Sequence, residues 1–350
     1  MINVEAPARI CFFGDHQDYL GLPVIAGTIN RFIQIKASPI NDAKYFIELI
    51  DLEQTKVIDL NQNLNSIASE DYFRSCMSVL SDEGAVFKQG YKIEISGNIP
   101  VNAGVSSSSA LVVAWLRFLL QAQEDQWEVT GTQIGVWAYK AEVLFFNQPG
   151  GLMDQYTIAQ GGLIYIDTQK GITTPLTPHL GTLILAESGI AKQTLAVLKN
   201  AKTYALNAVA EVQKQYPDFL IHQADEQTHR SYSTLVSDLY KPYWYASIYN
   251  HLITQKAKLE LLDPSPTISK MGAYMNQHQK ILEDCIQNTP EAMKNQMNAA
   301  RDAGAFGAKI IGSGGGGCMV ALADEHSKEK VIQAFLSAGA QKAYEVKLTI

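Results

Sequence analysis

The chain has 350 residues, 47% hydrophobic and 18% charged, which is enough for about two packed domains and too apolar for a disordered protein. Its formal net charge is −7 and no Lys/Arg-rich run occurs, which sets nucleic-acid binding aside. MINVEAPARI lacks the basic and apolar regions of a signal peptide, no apolar stretch of about 18 residues occurs, and Cys11, Cys76, Cys285 and Cys318 show no C-x-x-C spacing. The expectation is a cytoplasmic protein with no zinc site, no disulfide framework and no membrane partner.

Residues 8–13, 24–29 and 32–37 are apolar runs that read as short strands. Residues 45–51 and 55–60 follow as two more, after the turn signal Asn41-Asp42. Tyr91, Ile93 and Ile95 alternate with polar neighbours, which predicts a strand ending at Gly97. Leu111, Trp115 and Leu119 beside Val112, Leu116 and Leu120 predict a helix over 108–121, and Ile134, Trp137, Ala141 and Phe145 another over 132–146. Residues 161–167 read as a closing strand. The polar stretch 168–180, with Pro175 and Pro178, marks a domain boundary, giving domains 1–175 and 176–350.

The second half opens with a strand over 182–186, followed by long helical patterns over 191–215, 224–250 and 268–287. Thr289-Pro290 reads as a helix start with Thr289 as the cap. Strands at 308–311 and 318–323 flank a glycine loop, and a helix after Ser327 and a strand over 344–350 complete the chain. Strands and helices mix without strict βαβ alternation, so the fold class is α+β.

Three segments carry residues suited to chemistry. In GNIPVNAGVSSSSALVVAWL, residues 97–116, a strand ends and a small-residue loop runs into an apolar helix. The free N–H groups and positive dipole end of such a helix can cradle phosphate oxygens. Ala103 and Gly104 allow close backbone approach, and a serine hydroxyl can join a Mg²⁺ shell. An ordinary serine-capped helix is the plainer alternative. In IIGSGGGGCMVALA, residues 310–323, the glycines satisfy G-x-G-x-x-G, but a β-like run follows where a dinucleotide site needs a helix. That loop is either a tight turn or a lid packed on another loop. No P-loop and no protein-kinase motif occurs.

The third set is polar residues in apolar frames. Arg9 starts a buried strand and Asp15, His16 and Asp18 follow it; Glu142 sits on a helix and Asp154 after Gly150-Gly151. Each alone has a structural reading: a capped turn, a solvated helix face, a satisfied loop histidine. Together they supply what phosphoryl transfer needs, namely a phosphate cradle, a metal ligand, a carboxylate for the hydroxyl proton and a cation.

In order along the chain, these segments resemble the three motifs of the GHMP kinase family. The run from Pro7 to Tyr19, PARICFFGDHQDY, is similar to the P-G-R-V-N-L-I-G-E-H-T-D-Y type run of galactokinases, with Arg9, His16, Asp18 and Tyr19 at matching positions. Asp15 stands where Glu is usual, Ala8 replaces a glycine and Cys11 an asparagine. Gly151-Leu152-Met153-Asp154-Gln155 resembles the galactokinase G-I-M-D-Q segment. By contrast LILAESGIAKQT, residues 183–194, looks more like the D-S/T-G-x-x-x-x-T stretch of mevalonate and other GHMP kinases, and the sugar-contacting tyrosine of galactokinases has no clear counterpart.

The resemblance implies an N-terminal mixed α/β domain and a C-terminal ferredoxin-like α+β domain, with ATP and substrate in the cleft between them. It implies Asp154 and Arg9 as catalytic, and Asp15, His16, Asp18 and Gly151 as substrate-binding. It implies ATP on Asn102, Ala103, Gly104, Ser106, Ser107, Ser108, Ser109, Gly314 and Gly315, and Mg²⁺ on Ser108 and Glu142. The expected reaction is phosphorylation of a monosaccharide at its anomeric hydroxyl. A kinase for a non-sugar alcohol such as mevalonate and a non-catalytic sugar sensor are the alternatives.

Overall fold

The computed structural model describes the chain except residues 65, 101–103, 177–179, 192–193 and 350, and the side chains of 194–197. It divides into two compact units: Met1–Arg9, Asn30–Val101 and Ser106–Gly161 form the first, and Ile10–Ile29, Asn102–Val105 and Gly162–Ile350 the second. Strands β1 (Ile2–Phe13) and β2 (Val24–Ile40) each contribute to both.

In the first unit, β3 (Lys44–Leu49) pairs antiparallel with β4 (Gln54–Asp59) and parallel with β5 (Gly90–Gly97). The latter half of β2 pairs antiparallel with β5, Ile35 opposite Ile95. Helices α1 (Tyr72–Asp82), α2 (Ser107–Gln121), α3 (Gly131–Tyr139) and α4 (Met153–Gln160) complete the unit. An aromatic cluster joins helices to sheet: Trp115 of α2 lies edge-on to Phe73 of α1 and to Tyr45 of β3, with centroids 4.9 and 5.7 Å apart. The Trp115 indole N–H donates to the Phe73 carbonyl at 3.0 Å, so the buried indole leaves no polar atom unpaired. Helix α2 is buried from Ser109 to Leu119 except at Leu111 and Arg117.

In the second unit, the first half of β2 pairs antiparallel with β6 (Leu163–Asp167), and β6 with β7 (Ile172–Leu176). A separate antiparallel sheet has the order β11–β8–β10–β9, from Lys342–Val346, Thr182–Glu187, Cys318–Ala323 and Gly307–Ile310. Its helices are α5 (Thr194–Gln213), α6 (Glu226–Tyr232), α7 (Lys241–Leu262), α8 (Ile268–Ile281), α9 (Glu291–Asp302) and α10 (Lys328–Ser337). Helix α8 lies close on β9 because Gly272 has no side chain; a Cβ there would stand 2.4 Å from the Phe306 carbonyl carbon. A core of Leu22, Val212, Trp244 and Ile248 joins the start of the chain to α5 and α7.

Several elements differ from the sequence reading. The runs 24–29 and 32–37 are one continuous strand, β2. Helices α1 and α4 and strand β7 lie where no element is expected. The pattern over 224–250 is two helices, α6 and α7. Pro290, not Thr289, is the residue flanking α9, because its extended backbone precedes the first helical residue Glu291. Among the described residues no helix is long and apolar enough to cross a membrane.

Candidate active site

The first unit holds the charged pair that the sequence singles out. Asp154 lies in the first turn of α4, where the helix dipole favours a negative charge. Buried Arg9 reaches it with both prongs of its guanidinium, Nε to Oδ1 at 2.7 Å and Nη2 to Oδ2 at 2.8 Å. This two-pronged geometry fixes the orientation of the carboxylate as well as its charge. The Ser106 hydroxyl also donates to Oδ2. Ser106 precedes α2 in the left-handed region, φ 60° and ψ 51°, and makes no side-chain cap bond, so its hydroxyl serves Asp154 rather than the helix. A non-glycine residue held there costs on the order of 1 kcal/mol, which marks a site where position matters more than comfort. Asp154 keeps 28% of its side chain exposed, so an incoming hydroxyl can reach it.

Glu142 lies on a π-helical turn, Lys140–Leu144, that continues α3. Such turns insert one residue and re-aim a side chain. The turn directs Glu142 inward, and the solvated-face reading fails because the residue is buried. Its Oε2 accepts from Gln155 Nε2 at 2.7 Å, and the hydroxyls of Ser109 and Ser108 lie near enough to favour its charged form. Burial pushes the Glu142 carboxyl up; Gln155 and the two serines only partly offset it, and nearby Asp154 adds to the rise. On α1, burial and the Glu142 charge together raise Tyr72 to about 12 and push the Cys76 thiol up.

Among the described residues Glu142 forms no ion pair, so a buried carboxylate stands without a cation. Gln155 Oε1 beside it is buried and has no partner among the described residues. A hydroxyl, a carboxylate and a spare acceptor are the hard oxygen donors that Mg²⁺ takes when phosphates and waters complete its shell. The residues present therefore fit the ion, although no group of three or more His, Cys, Asp or Glu side chains among the described residues is placed to hold a metal ion by itself.

The second unit holds Asp15, His16 and Asp18 together with the glycine loop. Asp15 is fully buried: Oδ2 pairs with Lys309 Nζ at 2.6 Å and Oδ1 accepts the Gly312 N–H at 2.8 Å. Burial pushes its carboxyl up, but Lys309, together with His278 and His16, holds it below the usual range. His16 Nε2 stands 3.0 Å from the Ser313 carbonyl oxygen, which also accepts from Asn288 Nδ2 at 3.0 Å. Tyr19 lies on the other side of the His16 ring, with its hydroxyl 3.3 Å from Nδ1. Asp18 is half-buried and accepts from the Tyr19 N–H.

The glycine loop joins β9 to β10 and packs on another loop. Gly317 N–H donates to Ile190 O and Gly315 N–H to Asn288 O, and Gly314 (φ +77°) has no room for a Cβ beside the Asn288 carbonyl. Of the remaining expected ATP contacts, Gly104 has φ +86°, Ser107 is half-buried, Ser108 exposed and Ser109 buried. Asn102 and Ala103 lie outside the described residues. Gly151 is half-buried just ahead of α4.

Sequence reasoning missed Gln155, Lys309 and Asn288. Gln155 was legible beside Asp154, and a lysine inside the wholly buried strand Gly307–Ile310 is itself a signal, since an ammonium is buried only when paired.

The model for the GHMP kinases N terminal domain matches residues 71–162, and that for the GHMP kinases C terminal matches residues 261–341. A galactokinase of Mannheimia succiniciproducens is 28% identical over 345 residues, covering 94% of this chain and 87% of the relative. A mevalonate kinase of Thermococcus sibiricus is 26% identical over 351 residues, covering 97% and 94%. The crystal structure of Lactococcus lactis galactokinase complexed with galactose superposes with a TM-score of 0.87 at 19% identity, covering 99% of this chain and 93% of that one.

Proposed function

The chain belongs to the GHMP kinases and is an ATP-dependent phosphotransferase, and from that premise we propose that it phosphorylates a monosaccharide at the anomeric hydroxyl, giving a sugar 1-phosphate and ADP. The relatives divide between galactokinases and mevalonate kinases at similar identity, so the choice rests on the residues. The observation that carries it is the fork of Arg9 on Asp154. A lysine, usual at this position in mevalonate kinases, is a single point donor and cannot hold both carboxylate oxygens in one plane. The His16-x-Asp18-Tyr19 group of galactokinases accompanies it.

In this reading Asp154 aligns the acceptor hydroxyl and takes its proton as the bond to phosphorus forms, while Arg9 and Ser106 hold the carboxylate in place. Arg9 also offsets charge on the transferring group. For a loose phosphoryl-transfer transition state, alignment and electrostatics supply most of the acceleration. For ATP, the reading assigns phosphate contacts to Ser107, Ser108 and Ser109 at the N-terminus of α2 and, in the second unit, to Gly314 and Gly315 of the glycine loop. Ser108 and Glu142 would hold Mg²⁺, which when bound neutralises charge on the phosphates. His16, Asp18 and Gly151 contact the sugar. The same proposal takes 1–175 and 176–350 as the two domains and the cytoplasm as the site of action.

A panel of hexoses, pentoses, uronic acids, heptoses and mevalonate, assayed with ATP and Mg²⁺ by ADP release, tests the acceptor class. One or more sugars should turn over, and a deoxy sugar lacking a matched hydroxyl should lose about 1–3 kcal/mol of recognition, up to roughly 10²-fold in kcat/KM. Turnover of mevalonate with no sugar accepted would overturn the proposal.

A further inference from the structure

We infer that Lys309 is a positioning residue for phosphoryl transfer, which through Asp15 clasps the start of the glycine loop, and that Asp15 anchors this loop instead of binding substrate. The inference rests on the reading of that loop as part of the ATP site. Lys309 of β9 is wholly buried, and its ammonium has three acceptors: Asp15 Oδ2 at 2.6 Å, Ile310 O at 2.6 Å and Cys11 O at 3.1 Å. An ammonium has three donors, so all are used. One carboxylate oxygen of Asp15 is taken by Lys309 and the other by the N–H of Gly312, the first glycine of the loop. A fully buried carboxylate held from both oxygens has no open face for a sugar hydroxyl.

The neighbouring contacts serve the same end. Asn288 Nδ2 holds the Ser313 carbonyl at 3.0 Å and its own carbonyl receives Gly315 N–H at 2.6 Å, so one residue ties down the loop on both sides of Gly314. Asn288 follows a π-helical turn, Leu282–Ile286, and a left-handed Gln287, which together swing the chain under the loop. On the other side, Gly14 N–H donates to His278 Nε2 of α8 at 3.1 Å, fixing the backbone just ahead of Asp15. The loop glycines themselves adopt φ values from +72° to +134°, conformations that set no preference of their own. What makes the loop single-valued is therefore the clasp around it.

The test compares Lys309→Met, Asp15→Asn and the double variant with the unaltered protein. Four quantities are read: binding of a fluorescent ATP analogue with Mg²⁺, KM for ATP, KM for the acceptor, and the unfolding midpoint. Each single variant should weaken ATP binding and raise KM for ATP by about tenfold or more, because a misplaced loop loses aligned donors. KM for the acceptor should stay within about twofold. The double variant should be no worse than the weaker single one, since the two side chains act as one unit. Lys309→Met leaves a buried carboxylate uncompensated and can fail to fold; the double variant carries no buried charge at this pair and keeps the test open. Asp15→Asn raising the acceptor KM while ATP binds normally would overturn the inference and return Asp15 to the substrate. So would additive losses in the double variant, or a double variant that folds and binds ATP normally. Failure of the unaltered protein to bind ATP would instead sink the ATP reading of the loop, and the clasp with it.

Discussion

Replacing Asp154 with Asn should lower turnover by at least about 10²–10³-fold, the usual scale for losing a positioned acid–base group. The amide keeps the shape of the side chain but loses its charge and one of its two acceptor oxygens. Arg9 then faces an N–H₂ where Oδ1 or Oδ2 stood, and the fork opens. Some stability goes with it, on the order of 1–2 kcal/mol, less than for a fully buried pair because Asp154 is 28% exposed. ATP affinity should hardly change, since Asp154 is assigned to the acceptor. Arg9→Lys keeps the charge and loses the second prong, so it should show an intermediate loss of turnover. Near-normal turnover in Asp154→Asn, or inactivity matched throughout by unfolding at the assay temperature, would reduce this residue to a tie on the turn before α4.

Glu142→Gln should act in opposite directions on activity and stability. Turnover should fall by about 10²-fold or more and its Mg²⁺ titration should shift upward, because the buried anion assigned to the metal with Ser108 is gone. Metal-free protein should become more stable at neutral pH. Burial leads the causes that raise the carboxyl of Glu142 in the fold. A raised folded pKa means that the fold binds more protons than the unfolded chain. The contribution of this group is then fully present below its unfolded value of about 4.3, and is lost as pH rises through the higher folded value. Glutamine removes that loss, so the unfolding midpoint of the variant should exceed the parent's at pH 7 without Mg²⁺, and the gap should close at low pH. Saturating Mg²⁺ should stabilise the parent and leave the variant nearly unmoved. An unchanged Mg²⁺ titration together with a lowered midpoint would show that Glu142 is a packing residue.

Much of this was legible in the sequence for physical reasons. Leu111, Trp115 and Leu119 mark α2 because a buried helix repeats its apolar residues at helical spacing. Arg9 and Asp154 stand out as charges in apolar frames, and they meet. Helix α4 was not legible: its eight residues are buried on nearly every side, so no polar stripe alternates with an apolar one. Strand β7 was hidden by Pro175, which reads as a breaker but is tolerated on a strand with a free edge. In α1, Phe73, Cys76, Met77 and Leu80 do carry helical spacing, and Asp71 caps it by accepting the Arg74 N–H. The burial of Glu142 depends on a π-helical turn, a one-residue insertion that no periodicity announces. The contacts of Asp15 were hidden for a different reason. Its partner Lys309 lies 294 residues away, and a carboxylate already spoken for looks, in sequence, the same as one waiting for a ligand.

The most direct test of the central claim is phosphorus NMR of the product formed from ATP, Mg²⁺ and the best sugar of the panel. Transfer to the anomeric oxygen predicts one new phosphomonoester signal, split by the anomeric proton, appearing in step with ADP and absent in Asp154→Asn. A phosphomonoester coupled to the two protons of a primary carbon, or a product formed from mevalonate alone, would contradict it.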